Sequence, residues 1–108
     1  MKPEQIITGT TLGRPSEAIL GTGYQLLVDA ESTGGAYELM KFVVPAGLGP
    51  PRHMHTREDE HYYFLEGTFE VTVGSTTIET GPRTFLHLPR NVVHGLINVG
   101  GSEGSFLC

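Results

Sequence analysis

Residues 47–67 read GLGPPRHMHTREDEHYYFLEG, and this stretch decides the fold. It opens as a Gly/Pro-rich loop and closes as an extended run, Glu60 to Glu66, stopped by Gly67. His53 and His55 are two apart, so in extended backbone both side chains leave from one face and can converge on a point. Glu60 lies five residues further on, at the start of the next strand. Of the acidic run Glu58-Asp59-Glu60, only Glu60 has the spacing to turn inward, and the first two are expected to face solvent. His94 arrives later from another strand. Three imidazoles and one carboxylate form a mixed nitrogen/oxygen donor set that suits one first-row divalent metal: Fe, Mn, Ni, Co, Cu or Zn.

Working outward, the rest of the chain reads as short strands between turns. Tyr24, Leu26 and Val28 alternate with polar neighbours, the period of a strand with one buried face. From Ala36 to Val44 both parities are largely apolar, which leaves the inward face of that segment open. Phe69, Val71 and Val73 alternate with Glu70 and Thr72, and Gly74-Ser75 turns the chain back into Thr76 to Thr80. Thr84 to Leu88, His94 to Val99 and Ser105 to Cys108 complete an all-β pattern of nine or ten short strands. Met1 to Gly23 reads as an N-terminal arm, with at most one helical turn near Ser16 to Ile19, and residues 24–108 as a single barrel domain.

Composition excludes several function classes. A chain of 108 residues has room for one core. The net charge of −5, with seven Lys+Arg against twelve Asp+Glu, argues against nucleic acid and anionic membranes as partners, since both require clustered positive charge. The longest apolar runs are too short to span a bilayer. Fifteen Gly and seven Pro supply the turns that short strands need. Cys108 is the only cysteine and Met1 to Thr10 lacks a signal-like apolar run, so a reducing cytoplasm is the expected location.

The spacing Gly47, five residues, His53-Met54-His55, four residues, Glu60, six residues, Gly67 resembles the first signature motif of the cupin family, G-x5-H-x-H-x3/4-E-x6-G. All five fixed positions are present. The second motif, G-x5-P-x-G-x2-H-x3-N, is met in part: Pro89, His94 and Asn98 stand in register, while Arg83 and Asn91 occupy glycine positions. Asn tolerates left-handed backbone, so Asn91 can keep its turn; Arg83, after Pro82, is expected in a type I turn instead. The resemblance covers about half the chain.

It implies a double-stranded β-helix, or jelly-roll barrel, with His53, His55, Glu60 and His94 as metal ligands and Glu60 as general base. Four ligands on an octahedral metal leave two positions for a bidentate substrate or other small molecules. The resemblance further implies a dioxygenase of the quercetinase kind, acting on a small oxygen-chelating organic substrate. A metal-dependent isomerase or cyclase, and a non-enzymatic small-molecule-binding or sensing module, stand beside it, because the fold hosts all of these.

Around the site, Tyr62 and Phe64 share the parity of Glu60 and either pack the core or touch substrate. His61 should point outward, and His87 is left open: an ordinary strand residue, or one that partners a ligand or walls the pocket. A homodimer is expected, since the Thr22 to Ala30 and Ser105 to Cys108 strands are poorly charged candidate edges, and edges are usually covered or charged. The family commonly continues for a strand or two beyond the position of Cys108, which calls for more chain or for a partner strand there.

Overall fold

The computed structural model describes residues 5–9, 16–19 and 22–108, with the backbone alone for 16–19. Among them are nine strands: β1 (Ser16–Ile19), β2 (Thr22–Val28), β3 (Leu39–Val44), β4 (Glu60–Glu66), β5 (Phe69–Val73), β6 (Thr76–Thr80), β7 (Phe85–Leu88), β8 (His94–Asn98) and β9 (Gly104–Leu107). A single 3-10 turn, Glu31–Thr33, is the one helical element described. The strands form a six-stranded sheet in the order β1-β2-β3-β9-β4-β7 and a three-stranded sheet in the order β6-β5-β8, with every described pairing antiparallel. This is the all-β jelly roll that the strand pattern and the motif imply.

Alternation along the strands builds the core between the sheets. Phe64 on β4 and Phe106 on β9 meet Phe69 on β5, with ring centroids 5.1 and 5.7 Å apart, and all three rings are buried. Burying each contributes about 1.5–3 kcal/mol. Val44, Val71, Leu88 and Leu96 fill the space around them. The open question of β3 resolves here: Phe42 stacks on Phe106 at 5.2 Å and Val44 is fully buried, so the inner parity is Phe42/Val44. With both parities apolar, periodicity alone could not choose between them.

Three expectations are corrected. Ser16–Ile19 is a strand paired with β2, not a helical turn. β9 lies between β3 and β4, bonded to both, and β2 lies between β1 and β3, so neither proposed edge is an edge. Unpaired strand flanks among the described residues fall instead on β1, β6 and β7, because the outer side of β8 is taken by the loop after β3. In that loop Gly47 N–H donates to the Asn98 carbonyl, and His53 and His94 exchange both backbone bonds at 2.9 Å. Described parts of the arm lie on the chain's own sheet, with Gly9 against the Leu27 backbone and the Gln5 amide bonded to the Ser32 carbonyl. The remainder of residues 1–23 lies outside the described residues. No helix among the described residues is long and apolar enough to cross a membrane.

The third correction concerns Arg83, whose φ is +65°, so the turn after Pro82 is left-handed there rather than type I. Its N–H donates to the Phe64 carbonyl at 2.7 Å, and Phe64 N–H donates to the Thr84 carbonyl at 2.9 Å. These two bonds hold an arginine where glycine would sit without strain. A left-handed non-glycine residue costs about 1–2 kcal/mol, of which glycine's extra unfolded-state entropy takes back part. Arg83→Gly should therefore stabilise the fold by about 0.5–1 kcal/mol, read as a higher urea midpoint at unchanged m. Asn91, at φ +66°, takes the left-handed turn expected of it.

Candidate metal centre

The motif residues meet at one end of the barrel, where the two sheets approach. Glu60 opens β4 on the large sheet, His94 opens β8 on the small one, and the paired loop brings His53 beside His94. The ligand atoms of His53, His55, Glu60 and His94 all lie within 4.8 Å of one another. The His53 ring is 4.4 Å from that of His94 and 5.0 Å from that of His55, centroid to centroid. Two clamps fix this arrangement across the gap. Asn91 N–H donates to the His55 carbonyl at 2.7 Å, and Arg90 donates to Asp59 from its backbone N–H at 2.9 Å and its Nε at 3.2 Å. The Arg90 bonds hold the Asp59 carboxyl below its ordinary range, the backbone bond most of all.

Each imidazole has its Nδ1 engaged by an acceptor. His53 Nδ1 donates to the Pro51 carbonyl at 2.9 Å and His94 Nδ1 to the Val92 carbonyl at 3.4 Å, while His55 Nδ1 lies 2.8 Å from Glu58 Oε1 in an ion-pair contact. A proton on Nδ1 leaves Nε2 with a bare lone pair, so all three rings present the metal-binding nitrogen toward the shared space. Burial, foremost, holds the His94 pKa below its ordinary value, against the pull of Glu60 in the other direction, and keeps that ring neutral.

His55 Nε2 lies 2.5 Å from Glu60 Oε1, and His94 Nε2 lies 3.1 Å from Glu60 Oε2. Neither contact has hydrogen-bond geometry, and His55 Nε2, Glu60 Oε2 and His94 Nε2 are buried without a hydrogen-bond partner. Lone pairs facing lone pairs at these distances repel unless a positive charge sits among them. A divalent cation supplies that charge, and the donor set fits it.

Not all site residues stand where charge and parity predict. Glu58, expected to face solvent as a bystander, is exposed but lies 2.8 Å from His55 Nδ1; its i,i+3 spacing from His55 was the available signal. Asp59 is likewise engaged, by Arg90. Tyr62 is buried in the core, with its ring centroid 6.2 Å from that of His94. Burial first, then the Glu60 carboxylate, push the Tyr62 phenol far above its ordinary range, so it remains a donor. Phe64 is core alone. The Cys108 thiol packs against the core and is pushed up to about 12, by burial first and then by Glu60. His61 points outward as expected, and so does His87, which closes its open role: it neither partners a ligand nor walls the site.

The contact from Glu58 carries a testable consequence. Glu58→Gln should weaken metal affinity about tenfold by loosening the His55 tautomer, whereas Glu79→Gln, on an exposed position of β6, should leave it unchanged in the same titration.

Comparison with known proteins agrees with this geometry. The family described as Cupin domain matches residues 40–108. A predicted oxalate decarboxylase from Thermotoga maritima superimposes with a TM-score of 0.78 at 20% identity, over 94% of this chain and 89% of that one. The polyketide cyclase RemF from Streptomyces resistomycificus superimposes with a TM-score of 0.66 at 27% identity, over 80% of this chain and 61% of that one. Among curated sequences, mannose-1-phosphate guanylyltransferase 2 of Escherichia coli O157:H7 is 31% identical over 72 residues, which is 67% of this chain and 15% of that protein. The chain spans less than two thirds of the length of the curated relatives it matches.

Proposed function

The chain belongs to the cupin domain family, and on that footing we propose that it is a metal-dependent enzyme acting on a small organic molecule that chelates through oxygen atoms. The observation that carries this reading is the set of buried, unpartnered atoms His55 Nε2, His94 Nε2 and Glu60 Oε2 aimed into one space. When bound there, a divalent metal supplies a Lewis acid that polarises chelating oxygens and acidifies the adjacent O–H or C–H. Residues of this chain do the rest. Glu60 accepts the released proton on an oxygen not engaged as a ligand, and the buried phenol of Tyr62, pushed up by burial first and then by Glu60, stays protonated beside it. His53 and His55 are half-buried and mark the open side, by which substrate enters. Tyr62, whose ring centroid is 6.2 Å from that of His94, joins the site to the apolar core that Phe42, Leu86, Val73 and Cys108 pack against.

Oxygenation of the resulting enolate-like substrate is the reaction class we favour. Cyclisation or isomerisation of the same kind of substrate is the second reading, supported by the 27% identity to a polyketide cyclase. The two part on metal identity and oxygen demand. Protein purified without a metal-chelating tag should carry one divalent metal; a redox-active metal with oxygen uptake on candidate enols supports oxygenation. Zinc with product formation and no oxygen uptake supports the cyclase. Ligand binding without turnover would make the barrel a binding module, and failure to retain any loaded metal would overturn the reading.

A further inference from the structure

We propose that His61 and His87 form a second metal-binding site on the outer face of the large sheet, back to back with the interior centre. Successive residues of β4 point to opposite faces, so Glu60 turns inward and His61 outward. On β7 the buried Leu88 and exposed His87 divide in the same way. Antiparallel pairing sets His61 directly opposite His87, and Glu60 opposite Leu88. The two imidazoles therefore meet across the strands, with His61 Nε2 2.9 Å from His87 Nδ1 and ring centroids 5.0 Å apart.

That nitrogen separation has a meaning for metal binding. With metal–nitrogen bonds of about 2.0–2.1 Å, two nitrogens 2.9 Å apart subtend about 90° at the ion, the angle between neighbouring ligands of a tetragonal or square-planar site. A tetrahedral ion would need them opened to about 3.3 Å. Both rings are exposed and free to turn their lone pairs off the line between them onto a common ion. The ring that now donates moves its proton to its other nitrogen, so both remain neutral and no proton is lost. Phe85, 5.5 Å from the His61 ring, supports one side. Asp59 and Arg90, paired at 3.2 Å at the foot of β4, cancel each other's charge, and the net charge of −5 favours a cation. Two imidazoles leave the remaining positions to water or to donors of another molecule, which makes this an exchangeable site rather than a closed structural one.

Equilibrium dialysis of the untagged chain against Cu2+ tests the proposal. H61N/H87N should bind one copper fewer than the unmodified protein, whatever the interior centre holds. Each single change should weaken that copper at least about tenfold, because one imidazole cannot chelate. In a second measurement the interior centre is first loaded with Zn2+, and Cu2+ is then added at one equivalent. The His61 and His87 ring signals should broaden before any others in the proton spectrum. Unchanged copper stoichiometry in H61N/H87N, or rings left sharp at one equivalent, would overturn the site. The interior reading is untouched by either result.

Discussion

Replacing Glu60 by Gln is expected to weaken metal retention by at least about 100-fold while leaving the metal-free protein as stable as before or slightly more so. The two effects have opposite signs for one reason. Glu60 is the only anion among the four converging residues, and its Oε2 has no hydrogen-bond partner, so without a cation it confronts the lone pair of His94 at 3.1 Å. An amide removes the charge that draws in the metal, and its NH2 can donate to an imidazole nitrogen that otherwise has no donor. At a metal concentration 100 times its dissociation constant, the unmodified protein gains about 2.7 kcal/mol of stability; at the same concentration a 100-fold weaker site gains about 0.4. For a chain of this size that difference corresponds to roughly 10 °C or more in the metal-induced rise of Tm. Melting curves with and without metal read both effects at once. A Glu60→Gln protein that keeps the full metal-induced rise would mean that the carboxylate is not a ligand.

The candidate centre was legible because its logic is local. His53, His55, Glu60 and Gly67 sit on one stretch where a period of two and two turns set which side chains share a face, and the glycine positions answer to backbone demands visible in the structure. Gly67 has φ +90° and a Cβ there would press on the Gly104 backbone. What was not legible depends on pairing between distant segments. β9 enters between β3 and β4, a placement that no property of Ser105 to Cys108 announces; taken alone, its poorly charged sequence points to an edge. Arg83 was read from its own conformational preference, yet bonds on either side of it to Phe64 override that preference. The charge of Glu58 alone points to solvent, and only its i,i+3 spacing from His55 signals the contact. His87 needed the β4–β7 register to find its partner, since His61 and His87 are 26 residues apart.

Asn98 shows how a motif residue can matter without touching the chemistry, and its replacement should carry the largest cost to folding. Its side chain is fully buried at the end of β8 opposite His94. Nδ2 donates to the Val44 carbonyl and to the Ser102 carbonyl, each at 2.9 Å, and Oδ1 accepts the Gly100 N–H at 2.9 Å. One amide therefore ties β8 to the end of β3 and to the turn that launches β9, joining the small sheet to the large one. Asn98→Ala removes all three bonds: the buried Val44 carbonyl left unpaired costs about 1–3 kcal/mol, and the partly buried Ser102 carbonyl and Gly100 N–H cost less because water reaches them. Water entering the space left by the side chain can recover part of this, so the expected loss is about 3–4 kcal/mol, a large share of the roughly 5–15 kcal/mol available to a domain of this size. Asn98→Asp should be no milder, because a carboxylate keeps the acceptor for Gly100 but faces the Val44 and Ser102 carbonyls with oxygen instead of N–H. Urea unfolding should place both midpoints far below that of the unmodified chain, while metal affinity measured in the folded range stays within about twofold. A loss below about 1 kcal/mol, or metal affinity falling in step with stability, would contradict a purely architectural role for this asparagine.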